Sequence, residues 1–251
     1  MKTVGLIGCG AIGTLISEAI DRRIVDCDRL ILYDLDASHA EGLKKALHTS
    51  ATIVRSVDEM IKLKPTVIVE AASQEAAKEY IPKIVSADMD LIVMSVGALL
   101  DLKARSMRIH VPSGAIGGLD ALSSADLAGI DTVVLTTHKN PRALDMNNHE
   151  EQLVYEGNAE EAVHRFPREM NVAATLALTV GSDKVHVRVV SDPNVERNVH
   201  EVKVKWKHGD MLLRFANDPH PENPRTSALA AWSAIRMLKS LLEESNPLRE
   251  V

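Results

Sequence analysis

The sequence predicts an α/β chain in two parts: a doubly wound parallel sheet first, then a smaller α+β unit with a mixed or antiparallel sheet. Three observations carry that prediction. Short apolar runs alternate with helical periodicity through the first hundred residues. A glycine-rich turn, Gly8-Cys9-Gly10-Ala11-Ile12-Gly13, stands directly between the first apolar run and the first amphipathic stretch. Beyond residue 108 the apolar runs begin to alternate with polar residues, as strands buried on one face do.

Taken in order, Thr3–Ile7, Arg29–Tyr33, Thr52–Val54, Thr66–Val69 and Leu91–Met94 read as strands. They are rich in Val, Ile and Leu without clean alternation, which suits strands buried on both faces of a parallel sheet. Between them, Ile12, Ile16, Ala19 and Ile20 form one helical stripe, and Ala40, Leu43 and Leu47 a second. Ser56-Val57-Asp58-Glu59 fits a capping box. Pro82 falls within the helical segment Gln74–Ser86 and predicts a kink or a break there. After the strand candidate Arg108–Val111 comes the turn Ser113-Gly114-Ala115-Ile116-Gly117-Gly118, then a helix through Leu119, Leu122 and Leu127. Thr132–Thr137, Lys184–Val190, Asn198–Trp206 and Met211–Ala216 are the later strands, the last two joined as a hairpin across Lys207-His208-Gly209-Asp210. Helices over Asn171–Val180 and Thr226–Leu242 complete the reading, the last with Leu229, Ala231, Trp232, Ile235, Leu238 and Leu242 on one face. Two parts follow, 1–108 and 109–222, with 223–251 as a C-terminal helical segment.

Composition narrows the function classes. The chain is 45% apolar and 25% charged, with a net charge of −6, so it lacks the basic surplus of a nucleic-acid binder. Its two cysteines, Cys9 and Cys27, have no CxxC spacing, which argues against a disulfide framework. The ten histidines form no metal-binding motif, and no metal is expected. No apolar run is long enough to span a bilayer, and a cytoplasmic location is expected.

The glycine turn matches GxGxxG in the strand-to-helix context that dinucleotide binding requires, marking the first part as a Rossmann unit. Gly8 permits the tight turn, Gly10 lets the backbone approach a pyrophosphate, and Gly13 allows close helix–strand packing. Ala11 and Ile12 would present free N–H groups at the helix start to the phosphates. A plain strand–helix turn is the alternative. Asp34, at the end of the second strand, would accept hydrogen bonds from the adenosine ribose and repel a 2′-phosphate, so NAD is expected and NADP is the second choice. Capping of the next helix is its alternative role. Ala71, Ala72 and Ser95 sit at the carboxyl edge of the sheet, where the nicotinamide half would lie. Cys9 reads as a small buried filler.

The second part carries four further blocks: Ser113–Leu122, Phe166–Thr175, Asn198–Val202 and Asn223–Leu229. With the glycine turn, they closely resemble the L-aspartate dehydrogenase family from Val4 to about Leu238. The resemblance implies an NAD(P)-dependent oxidation of L-aspartate to iminoaspartate, which feeds quinolinate and pyridine-nucleotide synthesis or hydrolyses to oxaloacetate and ammonia. It also implies a homodimer, possible coupling to quinolinate synthase, and a last helix that packs back on the nucleotide unit. By the same resemblance, Ala115 and Asn171 bind the cofactor and His200 is the active-site residue.

The chemistry has uses for such residues. Hydride leaves C2 only when the amine is neutral, so a base must take a proton, and imidazole suits that near neutrality. Asn198 and Glu201 are the neighbours expected to orient the His200 ring. Lys139, read as a loop residue, and Thr226 with Ser227, read as a helix start, are candidates to hold the substrate carboxylates. A structural histidine, a solvated loop charge and an ordinary N-cap are the respective alternatives. Two other functions compete: a homoserine dehydrogenase-like or dihydrodipicolinate reductase-like enzyme, and a non-catalytic dinucleotide sensor.

Overall fold

The structure is a computed structural model that describes residues 1–102, 106–167, 170–220 and 223–243, with the backbone alone at 219, 220 and 223–226. The chain divides into two compact units, one of residues 1–112 and 231–251, the other of residues 113–230.

In the first unit, β1 (Thr3–Ile7), α1 (Ala11–Asp21), β2 (Arg29–Tyr33), α2 (Ala37–Ala46), β3 (Ala51–Ile53), α3 (Val57–Lys62), β4 (Val67–Glu70), α4 (Gln74–Ser86), β5 (Asp90–Val93), α5 (Gly97–Leu102) and β6 (Ile109–His110) follow one another. Their six strands form one sheet in the order β3-β2-β1-β4-β5-β6. Every pairing is parallel, so the sheet is doubly wound about β1. Val4, Leu6, Leu30, Ile31, Leu32, Ile68, Val69, Leu91, Ile92 and Val93 are fully buried, as the unbroken apolar runs predict.

Local chemistry explains the helix boundaries. Ser56 Oγ accepts from Glu59 N at 3.1 Å, while Glu59 Oε2 reaches back to Arg55 N at 2.8 Å, one residue earlier than a capping box requires. Ser73 and Asp36 cap α4 and α2 in the same way. Of the kink or break expected at Pro82, the break does not occur: α4 runs through without ending. Pro82 is exposed, so the Lys78 carbonyl that loses its helical donor is placed near solvent.

The second unit contains α6 (Leu119–Ala128), β7 (Ile130–Lys139), β8 (Gln152–Asn158), α7 (Ala159–Arg165), α8 (Asn171–Val180), β9 (Val185–Ser191), β10 (Asn198–Trp206), β11 (Gly209–Asn217), β12 (Pro219–His220) and β13 (Asn223–Ser227). Its five-stranded sheet has the order β11-β10-β7-β9-β8 and is mixed: β7 and β9 are parallel, and every other pair is antiparallel. Val133 and Leu135 of β7, Val185, Val187 and Val189 of β9, and Val202 and Val204 of β10 are buried at alternate positions. β12 and β13 form a separate two-stranded sheet among the described residues.

Several expectations are corrected. β8 went unread because it is an edge strand whose only buried residue is Tyr155, with a register shift between Leu153 and Tyr155. Asn223–Ser227 is a strand paired to β12, so α9 (Ala228–Leu242) starts after Thr226 and Ser227. In α9, Ala231, Ala234, Ile235, Leu238 and Leu242 are buried, whereas Leu229 and Trp232 are 37% and 46% exposed. Leu127, at the end of α6, is also exposed. α9 is anchored within the first unit by Lys239 Nζ, which donates to the Ile24 carbonyl at 2.8 Å.

Candidate active site

The glycine turn of the first unit has the stereochemistry of a cradle. Gly8 has φ of +93°, and a Cβ there would lie 2.6 Å from the Ala71 carbonyl oxygen. A Cβ on Gly13 would strike the Gly8 carbonyl, so the helix can approach the strand only without one. Gly10 has open space where its side chain would stand. It precedes an α1 whose N-terminus has no side-chain cap and no acidic residue in its first turn. Ala11 and Ile12 open that helix, and their N–H groups lie at the positive end of its dipole. This turn therefore fits a dinucleotide pyrophosphate.

Asp34 is tied to the same turn. Its Oδ2 accepts from Cys9 N at 2.7 Å and its Oδ1 from Asp36 N at 3.0 Å, while His39 Nδ1 lies 3.5 Å from Oδ1. Asp36, not Asp34, caps α2, which removes capping as the reason for Asp34. The Cys9 thiol is pushed up to about 12, mainly by burial and secondarily by Asp34, and is unreactive.

At the carboxyl edge of β4 and β5, Glu70 is fully buried. Its Oε1 accepts from Ala72 N at 2.9 Å and from Ser95 Oγ at 2.9 Å, and its Oε2 from Ser95 N at 3.0 Å. Burial raises its pKa, and the Ser95 and Ala72 donors oppose that rise. The Ser95 hydroxyl, expected to face a cofactor, is thus committed to Glu70. Ala71 donates its N–H to the Ile7 carbonyl, while Ala72 is exposed at the edge. Glu70 is thus the tie between the two strand ends, a role that needs partners 25 residues apart and leaves no signal in local spacing.

In the second unit, alternation along β7 and β10 sets Thr137, Lys139, Asn198 and His200 on the helix-covered face. All four are buried, with His200 4% exposed and Lys139 2%. Thr137 stands opposite His200 in the ladder, and its Oγ1 is 3.0 Å from His200 Nδ1. Burial first, and the Lys139 charge second, push the His200 pKa down to about 3. The ring is therefore neutral across the physiological range.

Two expectations change here. Lys139 is the last residue of a ten-residue strand, not a loop residue. Glu201 cannot orient the ring, because alternation turns it to the opposite face, where it pairs with Lys203 at 2.9 Å. Thr137, on a strand 63 residues away in sequence, does so instead.

Ala115 lies beside this face as well. Asn217, paired with Asn198 in the β10–β11 ladder, donates its Nδ2 to the Ala115 carbonyl at 3.0 Å. Gly117 and Gly118 let the turn rest on Phe215 and Leu213 of β11. Phe215 is the ladder partner of His200. Asn171 begins α8, whose first turn carries no acidic residue, and its carbonyl accepts from Thr175 Oγ1. Arg168 and Glu169, in the block just before it, lie outside the described residues, as does the side chain of Thr226. Ser227 is buried, and its Oγ accepts from Leu229 N, so it acts as a cap to α9. Among the described residues, His138, Glu151 and Asp192 bring three possible metal-ligating atoms within 4.8 Å of one another. The Asp192 carboxylate is already engaged by Asn194 N at 2.9 Å and Asn194 Nδ2 at 3.2 Å.

Comparison with known proteins agrees with both halves. Residues 8–110 match the NAD-binding domain of homoserine dehydrogenase, and residues 120–241 match the C-terminal domain of aspartate dehydrogenase. The L-aspartate dehydrogenase of Methanothermobacter thermautotrophicus is 42% identical over 97% of both chains, and that of Methanosarcina mazei 39% identical over 99% of both. The crystal structure of aspartate dehydrogenase from Thermotoga maritima superimposes with a TM-score of 0.75 at 31% identity, covering 98% of each chain. An NAD-binding glycine turn, a mixed second sheet and near-complete likeness to such relatives place this chain in the L-aspartate dehydrogenase family.

Proposed function

We propose that the protein oxidises L-aspartate to iminoaspartate with NAD, and that His200 is its acid–base residue. The observation that carries the reading is a buried, uncharged imidazole held by Thr137 and electrostatically coupled to a buried lysine. When bound, NAD supplies the acceptor for the hydride that leaves C2.

The amine nitrogen must lose a proton before its lone pair can form the C=N bond. With Nδ1 held at Thr137, Nε2 is the nitrogen left to take that proton, so Nδ1–H donates to Thr137 Oγ1 in the active tautomer. A ring depressed to about 3 is a poor base beside a cationic Lys139. A substrate carboxylate bound at Lys139 offsets that charge and so relieves the lesser of the two causes, burial being the larger, and the base strength of His200 rises when substrate arrives. Holding the carboxylate also fixes which face of C2 presents its hydrogen. Preference for NAD over NADP rests on the Asp34 carboxylate. From the resemblance of its sequence blocks to that family we also propose a homodimer and a cytoplasmic enzyme that hands its imine to a quinolinate synthase.

The test is NADH formation from L-aspartate and NAD, run beside NADP and with D-aspartate, L-glutamate, L-alanine and L-homoserine. Turnover confined to L-aspartate is expected. In His200→Ala, kcat should fall by about 100-fold or more with NADH affinity unchanged. Comparable rates on homoserine, or undiminished turnover in the variant, would overturn the assignment.

A further inference from the structure

A cavity of about 630 Å³ opens within the second unit, between the loop that follows β7 and the segment that leads into β10. Arg142, His149, Glu196, Arg197 and Asn198 are among the residues on its wall. Asn198 belongs to the same face of β10 as His200, two residues further on, so the cavity adjoins the buried polar cluster.

Several of its polar groups are already committed. Asn140 accepts from Arg142 N at 3.2 Å and donates its Nδ2 to the Val195 carbonyl at 3.2 Å, tying the two sides together. Asn148 is held by Ser191 and by the Glu150 carbonyl. Arg197 is paired with Asp218 at 2.7 Å. Arg142 differs: among the described residues nothing engages its guanidinium. Its backbone is fixed by the Asn140 cap of a short 3₁₀ turn, Pro141–Leu144, in which Pro141 and Ala143 are buried. A rigidly rooted guanidinium on a concave wall is suited to gripping a planar anion through two parallel N–H bonds. Glu196 is the acid on that wall; it is exposed and forms no ion pair among the described residues.

We infer that this cavity receives the side-chain carboxylate of the substrate and that Arg142 is the residue that selects a four-carbon dicarboxylate over a monocarboxylate. The inference rests on the reading above that the protein oxidises aspartate. It divides the labour between two cations: Lys139, buried beside His200, takes the carboxylate next to the reacting carbon, and Arg142 takes the distal one. An amino acid lacking the distal carboxylate leaves the guanidinium unpaired and the cavity unfilled. Specificity then comes from a missing charge-assisted contact rather than from a steric clash.

The experiment compares wild type with Arg142→Met and Arg142→Lys, each loaded with NADH or NAD. Arg142 is exposed, so neither change opens a hole in the core. Succinate, an unreactive dicarboxylate, is titrated calorimetrically into the NADH-loaded proteins, and the KM for L-aspartate is measured separately. The inference requires wild type to bind succinate and Arg142→Met to bind it at least tenfold more weakly. It also requires an aspartate KM raised on the order of 10–100-fold in Arg142→Met with a much smaller change in kcat, and partial recovery in Arg142→Lys. Equal succinate affinity in wild type and Arg142→Met, or no succinate binding by wild type, overturns it. The two readings fail separately. If wild type binds succinate through Arg142 but does not turn over L-aspartate, the dicarboxylate site stands and the aspartate assignment falls.

Discussion

The hydrogen bond between Thr137 and His200 is the single contact on which the proposed proton transfer turns. Thr137→Val keeps the shape of the side chain and removes its oxygen, leaving a buried ring nitrogen without that partner. The cost to stability is about 1–3 kcal/mol. The expected kinetic outcome is a kcat lowered about tenfold or more, with NADH affinity unchanged and Thr137→Ser restoring most of the activity. A variant that only loses stability, with normal kcat in the folded fraction, would make Thr137 structural. The same histidine makes a pH prediction. Its folded pKa is about 3, below the ordinary value of about 6.5, so between those values the unfolded chain binds the proton and the folded chain does not. Stability contributed by the neutral ring is therefore present above pH of about 6.5 and is lost progressively as the pH falls, by at most about 1.4 kcal/mol per unit. Denaturation of wild type and His200→Gln across that range should show a shallower acid decline in the variant. At this scale the site was partly legible. The His200 block and the glycine turn can be seen in the sequence because their residues are contiguous. Thr137, Glu70 and Arg142 act through partners dozens of residues away or through a cavity, and spacing along one chain does not record either.

Elements show where local rules are overridden. Pro82 should end a helix by its missing N–H and its ring, yet α4 carries Tyr80, Ile81 and Ile84 into the core on either side of it. Burial of that face holds the helix together across the defect. Pro82→Ala restores an N–H for the Lys78 carbonyl at an exposed position, and is expected to stabilise the protein by about 1–2 kcal/mol after allowance for the more flexible unfolded chain. A rise in Tm with unchanged NADH affinity is the expected result, and a fall would mean that the proline relieves a strain in α4. The strands of the first unit were readable because both faces are buried and their apolar runs are unbroken. β8 was not, because an edge strand needs only one face's worth of apolar residues and Tyr155 alone supplies it. Pro224 to Ser227 read as a helix start for a similar reason: a proline followed by hydroxyl residues has the composition of an N-cap, while only pairing with β12 makes it a strand.

Over the whole molecule, the chain path itself has an energetic consequence. The first unit is built from two separated segments, and α9 belongs to it although the entire second unit intervenes in sequence. The six strands of the sheet are all made by residue 110, but the unit that contains them gains its last helix only after residues 113–230, an insertion whose two ends both join the first unit. Leu238 is fully buried in α9, next to the Lys239 that donates to the Ile24 carbonyl beyond α1. Leu238→Ala removes apolar burial from the first unit alone and should cost about 2–5 kcal/mol. Because a dinucleotide held by the glycine turn binds the folded chain and not the unfolded one, it stabilises by mass action, and NADH at a hundred times its Kd should return about 2.7 kcal/mol of that loss. Calorimetric unfolding is the measurement. The expected trace has one main transition, lowered by Leu238→Ala and raised again by NADH, because an insertion tethered at both ends loses its anchorage when its host unfolds. Two separate transitions, with the variant and NADH moving only one of them, would show that residues 113–230 fold without help from the nucleotide unit.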